Sequence, residues 1–325
     1  MRYAVIGCGL IGMKRAEAIT RIGGSIVAAA DLDLERARML CGRFGGTPVM
    51  EANEAAADAD AVIAAVTHDR LAEIGRAAVS SGKHVLIEKP GARNAKELAP
   101  VAEMAEKRGV SVKIGYNHRF HPALRKARAL VDEGELGELM FIRGRYGHGG
   151  RLGYEKEWRF DPAISGGGEL LDQGSHLIDL AGWFLGEFTG VYGLLPRFFW
   201  DGAVEDNCFL TLQAKSGAVA HLHASWTEWK NMFSFEIYGR RGKAAIDGLG
   251  GSYGTERIAF YKMSPRMGPP ETTVFEYPFP DCSWDMEMKE FEAAIREGRR
   301  PVGDIRDALK NLSVIDILYE RRRDI

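Results

Sequence analysis

The chain has 325 residues, which is long for one hydrophobic core and sufficient for two domains. Its 43 Lys and Arg residues nearly balance 45 Asp and Glu residues, and the formal net charge of -2 provides no long-range field to attract nucleic acid or an anionic membrane. A run of about 18 apolar residues and a signal-peptide pattern are both missing, so we expect neither a membrane span nor a secretion signal. The four cysteines have no C-x-x-C spacing, which argues against a zinc knuckle or disulfide framework and favours a reduced, cytoplasmic setting.

Short apolar runs and amphipathic stretches alternate through the first 116 residues. Five runs are apolar without interruption, as strands buried on both faces of a parallel sheet are. These predicted strands span residues 3–7, 25–31, 61–66, 84–88 and 111–116. The stretches between them repeat apolar residues at helical spacing, at residues 11–22, 34–44, 71–80 and 95–107. This alternation predicts an α/β fold with a doubly wound parallel sheet.

The pattern changes after Tyr116, and the predicted domains are residues 1–118 and 119–325. The second range opens with a predicted helix, a strand and, after a glycine-rich loop, an apolar helix, at residues 122–131, 139–146 and 169–184. Repeated strands follow from 191 to 278, and their alternating pattern predicts an open, mainly antiparallel sheet. Two helices end the chain, and the last is a candidate to pack back on the first domain. They span residues 284–297 and 305–321.

A glycine-rich turn, Gly7-Cys8-Gly9-Leu10-Ile11-Gly12, joins the first predicted strand to the first predicted helix. In such a turn the first glycine permits the tight bend, the second lets backbone N–H groups approach a pyrophosphate, and the third lets the helix pack on the strand. The helix N-terminus adds partial positive charge for the phosphates. We therefore predict that a dinucleotide contacts Gly7, Gly9, Leu10, Ile11 and Gly12.

Asp31 ends the second predicted strand, about 20 residues beyond the glycine turn. A carboxylate at this place accepts hydrogen bonds from the ribose hydroxyls of NAD and repels the 2′-phosphate of NADP. Arg36 and Arg38 follow closely enough to contact a 2′-phosphate, although a solvated helix face is the favoured interpretation. The predicted cofactor is therefore NAD, with NADP as an open alternative.

Two segments carry candidates for acid–base chemistry. Lys89 follows the fourth predicted strand, and ligands bind beyond the carboxyl ends of strands in a parallel sheet. Asp172, His176 and Asp179 have helical spacing, so we expect them on one face of the apolar helix. Oxidation of an alcohol needs a group that takes the hydroxyl proton, and the pKa of histidine lies near the working pH. We assign His176 as general acid/base, Asp172 as its orienting partner and a substrate ligand, and Lys89 as donor to the reacting oxygen.

Four segments occur together in this order: VIGCGLIG, GKHVLIEKP, GYNHRF and GGGELLDQGSH, at residues 5–12, 82–90, 115–120 and 166–176. The combination resembles the glucose-fructose oxidoreductase / inositol dehydrogenase / rhizopine-catabolism (Gfo/Idh/MocA) oxidoreductase family. The resemblance implies a Rossmann domain followed by an α/β domain whose open sheet serves dimer or tetramer contacts. It also implies sugars, inositols or sugar nucleotides as substrates, with catalytic roles for Lys89, Asp172 and His176.

Further residues complete the two predicted sites. We expect the cofactor also to contact Thr67, Glu88, Lys89 and Asn117. We expect the substrate to contact Lys89, Arg119, Trp158, Arg159, Asp172 and His176. Loops that carry Trp and Arg often bind ligands, although solvated loop positions are an equal alternative for the residues between 148 and 159.

Two local features qualify the resemblance. Many family members have Thr-Pro after the third strand of the pattern, whereas here Thr67 is followed by His68. His221 and His223 share one face of a predicted strand, but no third ligand stands at a suitable spacing, so no metal site is expected.

The predicted function is an NAD(P)-dependent oxidoreductase that transfers a hydride between nicotinamide and a secondary hydroxyl of a sugar, inositol or sugar nucleotide. The expected partners are this small-molecule substrate and further copies of the chain, in a homodimer or homotetramer, with no nucleic acid or membrane partner. Two alternatives stay open. One is a catalytically silent NAD(P)-binding regulator on the same fold. The other is a reductase of a non-sugar substrate such as an imine or an unsaturated ring.

Overall fold

The computed structural model describes residues 1–266 and 268–322. Its chain forms two compact units. The first comprises Met1–Asn117, Ala163–Gly166 and Trp284–Leu312. The second comprises His118–Pro162, Gly167–Ser283 and the described chain from Ser313 onward. The final residues of the predicted second domain, 323–325, lie outside the described part.

The first unit contains a six-stranded parallel sheet with the order β3-β2-β1-β4-β5-β6. Its strands are β1 (Arg2–Ile6), β2 (Ser25–Ala30), β3 (Thr47–Val49), β4 (Ala61–Ala64), β5 (His84–Ile87) and β6 (Val112–Ile114). The helices between them are α1 (Leu10–Arg21), α2 (Leu34–Phe44), α3 (Ala52–Ala56), α4 (His68–Ser80) and α5 (Ala95–Arg108). The strand order reverses between β1 and β4, which is the switch point where such sheets bind ligands beyond the strands' carboxyl ends.

The remaining elements follow along the chain. The helices are α6 (Pro122–Asp132), α7 (Pro162–Ser165), α8 (Ser175–Leu185), α9 (Ser283–Glu297) and α10 (Ile305–Arg322). The strands are β7 (Leu139–Gly147), β8 (Phe188–Leu194), β9 (Asn207–Ala214), β10 (Val219–Ser225), β11 (Met232–Gly239), β12 (Gly242–Asp247), β13 (Glu256–Lys262) and β14 (Glu271–Tyr277).

These eight strands form one sheet of the second unit, in the order β14-β13-β12-β11-β7-β10-β9-β8. The β7–β10 pair is parallel and the other pairs are antiparallel. A buried aromatic cluster that includes Tyr154, Phe160 and Trp226 packs in this unit. The predicted fold class, a Rossmann sheet followed by a mainly antiparallel sheet, is confirmed.

Three local features differ from the predicted elements. β3 and α3 were not predicted, because a three-residue strand and a five-residue helix are too short to show a period. The predicted apolar helix over 169–184 is not α-helical throughout, because Leu170–Gly174 forms a π-helical turn that leads into α8. Gly174 fits this turn closely, since an added Cβ would lie 3.2 Å from Cys208 Sγ and 3.2 Å from the Glu169 carbonyl oxygen.

Among the described helices, no segment combines the length and apolar character needed to cross a bilayer.

Candidate functional site

The glycine turn leaves open space in front of α1. Gly7 has φ +90°, and a Cβ there would lie 2.3 Å from the Ala65 carbonyl oxygen; a Cβ on Gly12 would lie 2.0 Å from the Gly7 carbonyl oxygen. Gly9 differs, because an added Cβ would meet no atom within 4 Å. Gly9 is also the N-cap of α1 and provides no side chain to satisfy the first N–H groups. This arrangement fits the approach of a pyrophosphate to the helix N-terminus.

Asp31 is hydrogen-bonded to the backbone of the glycine turn. The backbone N–H of Cys8 donates to Asp31 Oδ2 at 2.7 Å, and the N–H of Asp33 donates to Oδ1 at 2.9 Å. Each carboxylate oxygen has further lone pairs, so ribose hydroxyls can still donate to this group. Burial, followed by the charge of Asp31, raises the pKa of the Cys8 thiol to about 12, so Cys8 is a packing residue.

The two arginines that were considered for a 2′-phosphate are paired within α2. Arg36 Nε lies 3.4 Å from Asp33 Oδ2, and Arg38 is paired with Glu35. Both arginine side chains are more than half exposed. This is the solvated helix face that the sequence analysis favoured.

Thr67 and His68 begin α4 in the first unit. The Thr67 hydroxyl donates to Asp69 Oδ1 at 2.6 Å. His68 is buried, and its Nδ1 lies 2.8 Å from the carbonyl oxygen of Ser165, in a segment of the same unit. The residue that departs from the family's Thr-Pro pattern therefore anchors the chain just before the Gly166-Gly167-Gly168 run.

Glu88 is held inside the first unit by an arginine of α1. Arg15 is fully buried, and its Nε donates to Glu88 Oε1 at 2.5 Å while its Nη1 donates to Glu287 Oε2 at 2.6 Å. Burial raises the pKa of Glu88, and the Arg15 charge opposes that rise. Lys113 completes the cluster, with Nζ 3.5 Å from Glu287 Oε1.

This buried network fixes the corner that carries Lys89. Lys89 follows Glu88 directly at the carboxyl end of β5 and is half-buried. The sequence analysis missed Arg15, although a charged residue between the buried Gly12, Ala16 and Ile19 of α1 is a usable signal. The predicted cofactor contact of Glu88 stays a prediction, and its carboxylate already has a structural partner.

The π-helical turn and α8 carry the predicted catalytic residues of the second unit. Asp172 is half-buried in the turn, while His176 and Asp179 are buried on α8. Arg159 Nε donates to Asp172 Oδ2 at 3.3 Å, and its guanidinium lies 4.8 Å from the centre of the Trp158 ring. The predicted substrate residues Trp158 and Arg159 therefore belong to the surroundings of Asp172.

His176 and Asp179, which are three residues apart on α8, contact a short 3-10 helix, Asn117–Phe120. The contacting residues of that helix are His118 and Arg119. Arg119 donates from Nε to Asp179 Oδ2 at 2.8 Å and from Nη2 to Oδ1 at 2.6 Å. The ring of His118 stacks on the ring of His176, with centroids 3.8 Å apart and an interplanar angle of 28°. Arg119 was predicted to bind substrate, and its guanidinium is occupied by a buried carboxylate. The sequence analysis missed His118 as a neighbour of His176.

A buried tyrosine, Tyr146, borders the same histidine, and the half-buried Tyr253 contacts Tyr146. The Tyr146 ring lies 6.1 Å from the His176 ring and 5.1 Å from the Tyr253 ring. Burial raises the pKa of both phenols. The tyrosines thus stay neutral hydroxyl groups at neutral pH, which leaves histidine as the residue type here suited to proton transfer.

Comparison with known families decides the identity. A family model described as "Oxidoreductase family, NAD-binding Rossmann fold" matches residues 1–116, and one described as "GFO/IDH/MocA C-terminal domain" matches residues 124–245. The chain belongs to the Gfo/Idh/MocA family. As a member with the NAD-binding fold, it is an NAD(P)-dependent oxidoreductase.

Relatives of this Gfo/Idh/MocA protein include named dehydrogenases. It is 26% identical over 325 residues to D-xylose 1-dehydrogenase (NADP(+)) 2 of Haloferax volcanii, covering 98% of this chain and 97% of that protein. It is 25% identical over 329 residues to inositol 2-dehydrogenase of Rhizobium meliloti, covering 97% and 95%. The match to levoglucosan dehydrogenase of Pseudarthrobacter phenanthrenivorans is 28% identical and covers 54% of this chain and only 52% of that protein.

Two solved structures share the fold of this Gfo/Idh/MocA protein. A levoglucosan dehydrogenase in complex with NADH and levoglucosan superposes with a TM-score of 0.90 at 22% identity, over 98% of this chain and 96% of that one. GenD2 from gentamicin A biosynthesis in complex with NAD gives a TM-score of 0.82 at 22% identity, over 98% and 93%. At this identity the likeness establishes the fold.

Proposed function

We propose that the chain transfers a hydride between nicotinamide and a secondary hydroxyl group of a sugar, an inositol or a sugar nucleotide. The observation that carries the proposal is a buried histidine, His176, one turn beyond a half-buried Asp172 on a buried helical segment. Buried polar groups need partners or a purpose, and this pair lies in a family whose named relatives are levoglucosan, xylose and inositol dehydrogenases.

The three predicted catalytic residues have different roles in this proposal. The imidazole of His176 takes the hydroxyl proton as the alcohol becomes a carbonyl. Asp172, whose carboxylate is held by Arg159, orients the histidine and accepts a hydrogen bond from a second substrate hydroxyl. Lys89 donates to the reacting oxygen and stabilises its developing negative charge. A bound nicotinamide would supply the acceptor for the hydride that leaves the same carbon.

We propose NAD as the preferred cofactor, held by Gly9, the N-terminus of α1 and Asp31. The Asp31 carboxylate would face a 2′-phosphate with like charge, and Arg36 is already paired with Asp33. Thr67 and Asn117 complete the proposed cofactor contacts. NADP stays the alternative, since one relative is named for it.

The test incubates the purified chain with NAD or NADP and a panel of inositols, aldoses and sugar nucleotides, and follows the absorbance of reduced nicotinamide. We expect turnover of at least one panel member and a loss of about 10²–10⁴-fold in His176→Ala, with an unchanged Kd for NAD. Turnover that survives in His176→Ala would remove the assignment of His176.

The same panel separates the two alternatives. A silent regulator binds NAD but reduces none of it with any panel member. A reductase of a non-sugar substrate is also inactive with the panel, but it oxidises NADH in the presence of an imine or an enone. Either result would overturn the sugar dehydrogenase proposal.

We also propose that the chain assembles as a homodimer or homotetramer through the open sheet of the second unit and works in the cytoplasm. The sheet presents exposed apolar side chains, such as Tyr192 at 61% and Leu194 at 65% exposure. Apolar patches of this kind mark interaction surfaces. Sedimentation of a monomer at micromolar concentration would contradict the assembly.

A further inference from the structure

The 3-10 helix Asn117–Phe120 places two consecutive side chains on one face of α8. His176 and Asp179 are three residues apart, so they lie on neighbouring turns of that face. Arg119 binds Asp179 through two hydrogen bonds of 2.8 and 2.6 Å, and His118 stacks on His176 at 3.8 Å. The ion pair therefore fixes the segment that presents the His118 ring to the His176 ring.

We propose that His118 is a positioning residue for His176, whose stacked ring sets the plane of the imidazole that moves the proton. The proposal rests on the proposed function, in which His176 is the acid/base. His118 itself has no direct role in proton transfer here. It acts through the flat face of its ring, which packs against the His176 imidazole.

The surroundings of His118 hold its ring in place. His118 and His176 are both 5% exposed, so the stack is buried. The edges of His121 and Tyr146 approach the His118 ring, with centroids at 5.6 and 5.1 Å. His121 is in turn fixed, because its Nδ1 lies 2.9 Å from Glu256 Oε2. The His118 ring is therefore a fixed surface and the His176 ring packs against it.

A fixed surface matters because the second side-chain torsion of histidine is soft. Rotation about the bond to an sp² ring has a broad, roughly two-fold profile, so the torsion alone does not select one ring plane. A general base must place its nitrogen within hydrogen-bond reach of the proton that it takes. A misplacement of about 1 Å lowers a rate by about 10²-fold. Stacking on His118 at van der Waals distance constrains the plane of the His176 ring, in addition to the orienting role proposed for Asp172.

The test compares His118→Ala with His118→Phe, because phenylalanine keeps a flat ring but has no titratable nitrogen. The substrate is the panel member that the wild-type enzyme oxidises fastest. We expect kcat to fall by about 10–100-fold in His118→Ala, while KM and the Kd for NAD stay within about threefold. His118→Phe should restore kcat to within about threefold of wild type.

His223→Ala is the matched control. The His223 ring also stacks on a neighbour, Phe209, with centroids 4.1 Å apart and an interplanar angle of 12°. It lies on β10 in the same unit, on the opposite strand face from the buried Leu222. Loss of this stack should leave kcat unchanged, even where it lowers the Tm.

Crystal structures of the variants give a readout that does not need a known substrate. We expect the His176 ring to leave its wild-type plane in His118→Ala and to keep it in His118→Phe. A wild-type ring plane in His118→Ala, or a kcat in that variant equal to wild type, would overturn the positioning role. If the wild type oxidises no panel member, the sugar dehydrogenase proposal fails, and the ring planes still decide the role of His118.

Discussion

The two polar sites of this Gfo/Idh/MocA protein are built in different ways. The glycine turn and Asp31 lie within the first 31 residues of the chain, and one hydrogen bond of 2.7 Å, from the Cys8 N–H to Asp31, joins them. The polar residues of α8 have partners from far along the chain, since Arg119 is 60 residues before Asp179. A site made from adjacent elements can be predicted from local pattern, whereas a site made from distant partners needs the fold.

The segment before the π-helical turn also depends on residues that are distant in the chain. Glu205 is buried, and its Oε1 accepts hydrogen bonds from the Gly168 N–H at 3.0 Å and from the Tyr319 hydroxyl at 2.7 Å. A Cβ on Gly168 would lie 2.1 Å from the Glu205 carbonyl oxygen. The segment that leads into the π-helical turn is therefore held by Glu205, which precedes β9, and Glu205 is in turn bound by Tyr319 of α10.

Gly7→Val should have the strongest effect, because it changes the backbone of the local site. With φ +90° and an added Cβ 2.3 Å from the Ala65 carbonyl oxygen, a side chain cannot enter without moving the strand ends. We expect the free energy of unfolding to fall by about 4 kcal/mol or more and NAD binding to be lost. Urea denaturation followed by circular dichroism measures this, and wild-type stability would contradict the described packing.

The second prediction concerns the distant partner. Arg119→Met should lower the free energy of unfolding by about 3–5 kcal/mol, because it leaves the buried Asp179 carboxylate without its guanidinium. The double variant Arg119→Met/Asp179→Leu should recover much of that loss, since no charge is then buried alone. Denaturation of both variants tests the pair. A single variant as stable as wild type would show that α8 does not depend on residue 119.

Gly9→Ala separates cofactor binding from stability within the glycine turn. Gly9 has φ -72° and ψ -165°, which an L-residue adopts, and an added Cβ meets nothing within 4 Å. We expect stability to stay within about 0.5 kcal/mol of wild type. The Kd for NAD should rise about tenfold, or 1.4 kcal/mol, because the methyl group occupies the path of the pyrophosphate. Calorimetric titration with NAD measures it, and unchanged affinity would place the phosphates elsewhere.

The smallest expected effect is that of Arg36→Ala/Arg38→Ala. Both side chains are 56% exposed and paired with acids of their own helix region, and exposed ion pairs contribute about 0–1 kcal/mol. We expect the Kd for NAD and the Kd for NADP each to change less than about twofold. A selective loss of NADP affinity would show that these arginines bind a 2′-phosphate.

The features that could be predicted from the sequence are those formed by residues close together in the chain. Five of the six parallel strands and four of the five helices between them were predicted, because each is a continuous apolar run or a clear helical period, whereas β3 and α3 are too short to show one. The Glu88–Arg15–Glu287 cluster was not, because its members are brought together only by the fold. The π-helical turn was missed for a related reason, since the spacing of apolar residues does not distinguish one wide turn from an α-helical turn.

A crystal structure of the wild-type protein with NADH and the oxidised form of the panel substrate tests the proposed catalytic geometry. We predict Lys89 Nζ and a ring nitrogen of His176 at about 2.6–3.2 Å from the same carbonyl oxygen. A complex in which either group lies beyond hydrogen-bond reach of that oxygen would contradict it.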